Sequence, residues 1–158
     1  MPSLWQSLKG HERKHTFVFI EFSSEEKGLK GSKFYAKQLT KDQRAQTRAM
    51  VNLECLGISP TAVWLSKADK NLAGFLGYIA DVMKLPVTGV DVDKVGDTDS
   101  TSFVKIGIPA ITVHALNQES LKYIYSPREE LKLIDSKQYQ ETYRPLCGYL
   151  AYLDLVLK

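Results

Sequence analysis

One apolar stretch that stops on two glutamates constrains this chain more than any other feature. Residues 17–22 read Phe17-Val18-Phe19-Ile20-Glu21-Phe22, followed by Ser23-Ser24-Glu25-Glu26 and then by Gly28 and Gly31. Aromatic and β-branched residues in such a run predict a buried strand over about residues 15–22. Phe34, Tyr35, Ala36 and Leu39 come next at helical spacing, which predicts a helix over about residues 28–39. In α/β sheets the carboxyl ends of strands are where ligands bind. The plainer reading of Glu25 and Glu26 is a solvated pair at a helix start, favoured by the helix dipole. The preceding strand, apolar on both faces and therefore central, shifts the weight toward a cleft.

The rest of the chain alternates strand and helix. Residues 3–9 predict a short helix with Leu4, Trp5 and Leu8 on its apolar face, and residues 40–46 a turn or helix end. A second strand over residues 48–55 again yields an acid, Glu54, near its end. A third covers residues 62–65, after Pro60. Asp69 reads as the N-cap of a helix with Leu72, Phe75, Leu76, Ile79, Ala80 and Met83 on one face. A short strand is expected near residues 88–92, a polar loop over residues 93–102 and a strand over residues 110–114 that ends in His114. Residues 115–135 read as loop. Asp135 or Ser136 caps a last helix, which Pro145 should kink or break. At 158 residues and 44% hydrophobic composition, one domain with a real core is expected over residues 1–158. The alternation predicts an α/β three-layer sandwich.

Charge and composition exclude some functions. The net charge is +3 and the lysines are scattered, so nucleic-acid binding has no support. No apolar run is long enough to span a bilayer. The opening residues show no basic region followed by an apolar one, so no signal peptide is expected there. Cys55 and Cys147 lack metal or redox spacing, and their pairing is left open.

Four stretches together resemble the zinc aminopeptidases related to the glutaminyl cyclases. The strand with Glu25-Glu26 and the Gly28-Leu29-Lys30-Gly31-Ser32 helix start is similar to that family's central motif. Asn52-Leu53-Glu54-Cys55-Leu56-Gly57 resembles its Asn-x-Asp/Glu-x-x-Gly strand end. Asp97-Thr98-Asp99-Ser100-Thr101-Ser102-Phe103 resembles its Ser-Asp-His-x-x-Phe loop, with Gly107-Ile108-Pro109-Ala110 as the next strand. Tyr125-Ser126-Pro127-Arg128-Glu129 resembles its His-Thr-Pro-x-Asp loop. The resemblance implies a mostly parallel mixed sheet between helical layers, an incomplete phosphorylase/hydrolase-like zinc exopeptidase fold. It implies two zinc ions that activate a water and a peptide substrate that loses its amino-terminal residue. Glu25 would be the general base, Glu26 a metal ligand and Glu54 a ligand to the second metal, with Asp99 and Tyr125 beside the substrate. Relatives are often exported.

The chain also departs from that pattern. The family's first histidine ligand and bridging aspartate precede the point where the match opens, and Tyr125 stands where its last histidine ligand would be. Glu26 and Glu54 without imidazole make a poor zinc site and favour hard cations. His114 is the candidate third ligand, although a histidine hydrogen-bonded at a strand end is the preferred reading. His11 and His15 lie at the wrong end of their strand. The expectation is a zinc-dependent exopeptidase domain that is partial or inactive as this chain. The alternatives are a non-catalytic peptide- or partner-binding remnant and a glutaminyl cyclase-like enzyme. A missing neighbour strand would expose an apolar edge and invite homo-oligomers. Crowded without metal, Glu25, Glu26 and Glu54 would raise one another's pKa values.

Overall fold

A computed structural model describes residues 2–90, 96–124 and 126–158. The elements run α1 (Pro2–Leu8), α2 (Lys30–Gln38), α3 (Lys41–Gln46), β1 (Met50–Glu54), β2 (Ala62–Trp64), α4 (Lys70–Met83), β3 (Thr88–Val90), α5 (Asp99–Val104), β4 (Ala110–His114) and α6 (Ser136–Val156). Single 3₁₀ turns occupy Leu65–Lys67, Ser120–Lys122 and Leu131–Leu133. The sheet order is β1-β4-β2-β3. β1 runs parallel to β4 and β2 parallel to β3, while β2 and β4 are antiparallel, so the sheet is mixed and mostly parallel.

Alternation along β4 sorts the helices into two layers. Ile111 and Val113 join the core with Leu72 and Leu76 of α4, Leu146 and Leu150 of α6, and Leu4 and Leu8 of α1. Thr112 faces the other way and bonds to Ser100 of α5. α5 in turn carries α2 through the Ser32–Ser102 hydroxyl pair, 2.9 Å apart and buried. Tyr149 of α6 is fully buried, and its hydroxyl donates to the Leu72 carbonyl at 3.0 Å.

Caps delimit the helices as the residue types demand. The Asp69 carboxylate accepts the N–H groups of Asn71 (2.9 Å) and Leu72 (3.0 Å), two donors the first turn leaves without helical partners. Asp69→Ala is expected to cost about 1 kcal/mol and to lower the thermal midpoint by about 2–4 °C, readable by circular dichroism. Residues 40–46 form a helix of their own. Thr40 and Gln43 build a reciprocal capping box, with bonds of 2.8 and 3.2 Å.

Three expectations need correction. Residues 15–22 belong to no strand among the described residues. β1, at one edge of the sheet, has β4 as its ladder partner. Phe17 and Phe19 line a cavity of about 730 Å³ together with Val51, Leu53 and Leu150. The segment is tied down at its ends instead. Asp154 of α6 accepts the N–H groups of Lys14 (3.0 Å) and His15 (2.8 Å), and the Ser23 carbonyl accepts from Gly31 (3.1 Å). Phe17 and Phe19 pack against the core while Val18 is 68% exposed, so one face is covered rather than two. Second, the expected polar loop over residues 93–102 gives way to α5 at Asp99, where Ser100, Ser102 and Phe103 are buried. Residues 91–95, which include the end of the strand expected near residues 88–92, lie outside the described residues. Third, α6 does not break at Pro145, which is fully buried: the helix continues through it to Val156.

Candidate functional site

The turn that carries Glu25 and Glu26 is built by backbone geometry. Ser24, Gly28 and Leu29 adopt left-handed conformations, with φ of 58°, 85° and 60°. The Glu25 carbonyl accepts from Gly28 (3.0 Å) and Leu29 (2.8 Å), and the Ser24 carbonyl from Lys27 and Lys30 (both 3.2 Å). Gly31 permits the close approach of α2 to this turn, since a Cβ there would sit 2.6 Å from the Ser23 carbonyl oxygen. Phe22, Tyr35 and Phe103 pack their rings edge-on or tilted with centroids 5.8–6.1 Å apart, pinning the segment to α2 and α5. Glu25 emerges half-buried and Glu26 exposed.

β1 delivers Glu54 to the same region. Its carboxylate accepts from the Asn52 side-chain amide at 2.7 Å. Burial pushes the Glu54 pKa up from 4.5 to about 7, against the pull of the Asn52 bond, and the negative charges of Glu25 and Asp99 add to the rise. Asp99, at the first turn of α5, is only 9% exposed, and its Oδ1 has no hydrogen-bond partner among the described residues. A cavity of about 400 Å³ adjoins, lined among others by Phe22, Asn52, Cys55, Asp99, Tyr139 and Tyr143. Cys55 follows Glu54 in a left-handed conformation, φ 47°. Burial, then the charge of Glu54, raises its thiol to about 11, so it is a protonated and unreactive group at neutral pH. Both cysteines are free.

His114 pairs with Glu54 in the parallel ladder and is 2% exposed. Its Nδ1 accepts from the Leu116 N–H at 3.1 Å, which leaves the proton on Nε2, an atom with no partner among the described residues. Burial lowers its pKa, so the ring is neutral at pH 7. His15 lies far along the chain from this edge, with Nδ1 3.2 Å from the Asp154 carbonyl oxygen. Tyr125 lies outside the described residues.

Of the residues singled out from sequence, Glu25, Glu54 and Asp99 interact electrostatically, whereas Glu26 stands exposed on the turn. No three His, Cys, Asp or Glu side chains gather closely enough to hold a metal ion among the described residues. Sequence reasoning named Asn52, Thr98 and Ser100 only as parts of motifs and missed Thr112. The available signal was a threonine in the otherwise apolar strand Ala110-Ile111-Thr112-Val113.

The fold has counterparts among solved structures. The chain is 26% identical to an aminopeptidase from Aneurinibacillus sp. strain AM-1, with a TM-score of 0.65 over 84% of this chain and 32% of that one. BSAP, a zinc aminopeptidase from Bacillus subtilis, shares 18% identity and a TM-score of 0.84 over 98% of this chain and 39% of its own. An Acidobacteriales bacterium glutaminyl cyclase shares 15% identity and a TM-score of 0.68, over 92% of this chain and 50% of its own. At those last two identities the likeness is one of fold. The chain thus spans half or less of each of these proteins. No curated protein matches significantly. The model of peptidase family M28 matches residues 3–150, nearly the whole chain, and the chain belongs to that family.

Proposed function

We propose that the chain carries part of an aminopeptidase site, in which Glu25 is the base that takes a proton from the attacking water. The observation that supports this most is the half-buried carboxyl group of Glu54, whose pKa burial raises and the negative charges of Glu25 and Asp99 raise further. Three carboxyl groups at one half-buried edge suit a substrate that arrives with a positive charge, the α-ammonium of a peptide. Peptide hydrolysis needs a positioned base of this kind beside the scissile bond.

Zinc is the metal named for BSAP. The described residues of this chain do not fit a zinc pair. Glu54 and the facing His114 offer two donors, and no three possible ligands assemble among the described residues. That misfit favours, as a second reading, a domain of the same scaffold that binds a peptide or partner without turning it over.

Leucyl and alanyl 4-nitroanilides, with the metal content of the protein measured after zinc loading, separate the two. Turnover accompanied by bound zinc supports the peptidase. Absence of both, with peptide binding retained, supports the binding domain. Cyclisation of a glutaminyl peptide without hydrolysis would replace both with cyclase chemistry.

A further inference from the structure

A ring of three buried hydroxyls sits behind the carboxylates. Thr112 Oγ1 donates to Ser100 Oγ at 2.9 Å. Thr98 Oγ1 lies 2.7 Å from Ser100 Oγ and 3.0 Å from Thr112 Oγ1. All three residues are 2% exposed or less. Each hydroxyl has a single proton, and three bonds close the triangle. Because Thr112 gives its proton to Ser100, Ser100 must donate to Thr98 and Thr98 to Thr112. The ring runs in one direction and uses every proton it has.

That closure decides the orientation of Asn52, itself buried. Thr112 Oγ1 keeps one lone pair and no proton, and Asn52 Nδ2 lies 3.5 Å from it. The amide must present nitrogen, not oxygen, on that side. The same nitrogen then donates its other proton to Glu54 Oε1 at 2.7 Å. A flipped amide would set its oxygen against both the proton-free face of Thr112 and the Glu54 carboxyl group. The ring also brackets Asp99, whose two chain neighbours are ring members.

We propose that Asn52, held in one orientation by the Thr98–Ser100–Thr112 ring, is the positioning residue for Glu54, and that the ring places Asp99 in the same cleft. As a positioning residue for the reaction, Asn52 rests on the peptidase reading above; the hydrogen-bond geometry does not. Asn52 touches no substrate in this scheme. It acts by holding a carboxyl group that would otherwise rotate freely at the strand end.

The test reads the Asn52 side-chain amide directly by ¹H–¹⁵N NMR of the full chain. Two well-separated amide protons that exchange slowly with water are expected. Thr112→Val should bring them together and speed their exchange at least tenfold, with Thr112→Ser restoring both. Glu54→Ala should shift the proton facing the carboxyl group. Fast-exchanging amide protons in the parent protein, or protons unmoved by Thr112→Val and Glu54→Ala, overturn the proposal. The remaining cross-peaks report whether each variant is folded. With an active protein, Asn52→Ala should lower kcat at least tenfold with KM changed less than twofold; the reverse split overturns the positioning role. An expected amide signature in a protein without turnover would leave the hydrogen-bond geometry standing and sink the peptidase reading alone.

Discussion

Glu25→Gln is expected to reduce turnover of an aminoacyl 4-nitroanilide by about 10²–10⁴-fold while leaving the fold intact. The side chain is half-buried on a turn whose bonds are made by the backbone, through the carbonyls of Ser23, Ser24 and Glu25. Gln keeps the shape and polarity of Glu, so the turn and the Phe22–Tyr35–Phe103 cluster should survive. What Gln cannot do is accept a proton at neutral pH. The loss should therefore fall on kcat, with KM little changed. Glu26→Gln provides the contrast: if Glu25 is the base, the two substitutions should differ in which parameter they alter. Equal turnover by Glu25→Gln and the parent protein would remove Glu25 from the mechanism.

The second large effect is on stability. Glu54 titrates near 4.5 in an unfolded chain and at about 7 here. Between those values the folded protein keeps a proton that the unfolded chain has lost. Unfolding then releases a proton, so stability falls as pH rises. The contribution is fully present below pH 4.5 and gone above pH 7. At about 1.4 kcal/mol per pH unit this amounts to about 3 kcal/mol. Glu54→Gln has no proton to lose. Urea unfolding of both proteins at pH 5 and pH 8, with chelator present, should show the variant gaining about 3 kcal/mol over the parent at pH 8 relative to pH 5. Identical pH dependence in the two proteins would mean that Glu54 is not buried among like charges.

The parts of this fold that were readable from sequence are those set by neighbours in the chain. Asp69 sits before a clean helical stripe, and its carboxylate makes the two bonds an N-cap should make. Ile108-Pro109 introduces β4, and β1 ends on Glu54 as its apolar run suggests. Residues 15–22 misled because the pattern of a strand describes side chains, whereas strandhood requires a backbone partner. Here the backbone is tied by Asp154, from the far end of the chain, and residues 15–22 have no strand partner among the described residues. Asp99-Ser100-Thr101-Ser102 looked like loop because its hydroxyls suggest solvent. Ser100 and Ser102 face Thr112 and Ser32 instead, contacts that local sequence cannot foresee. Pro145 predicts a kink or a break in α6, since its missing N–H leaves a helical carbonyl without a donor. Burial of its ring in the core accompanies a helix that continues to Val156. Glu25, Glu54 and Asp99 were all visible as acids at element ends; that they act on one another follows only from the sheet and from α5.

The central claim is that these three carboxyl groups share one cleft, and the Glu54 pKa tests it most directly. A ¹³C-carboxyl NMR titration of the metal-free protein should place Glu54 near 7 and show it falling in both Glu25→Gln and Asp99→Asn. A Glu54 pKa near 4.5 that neither substitution moves would contradict the account.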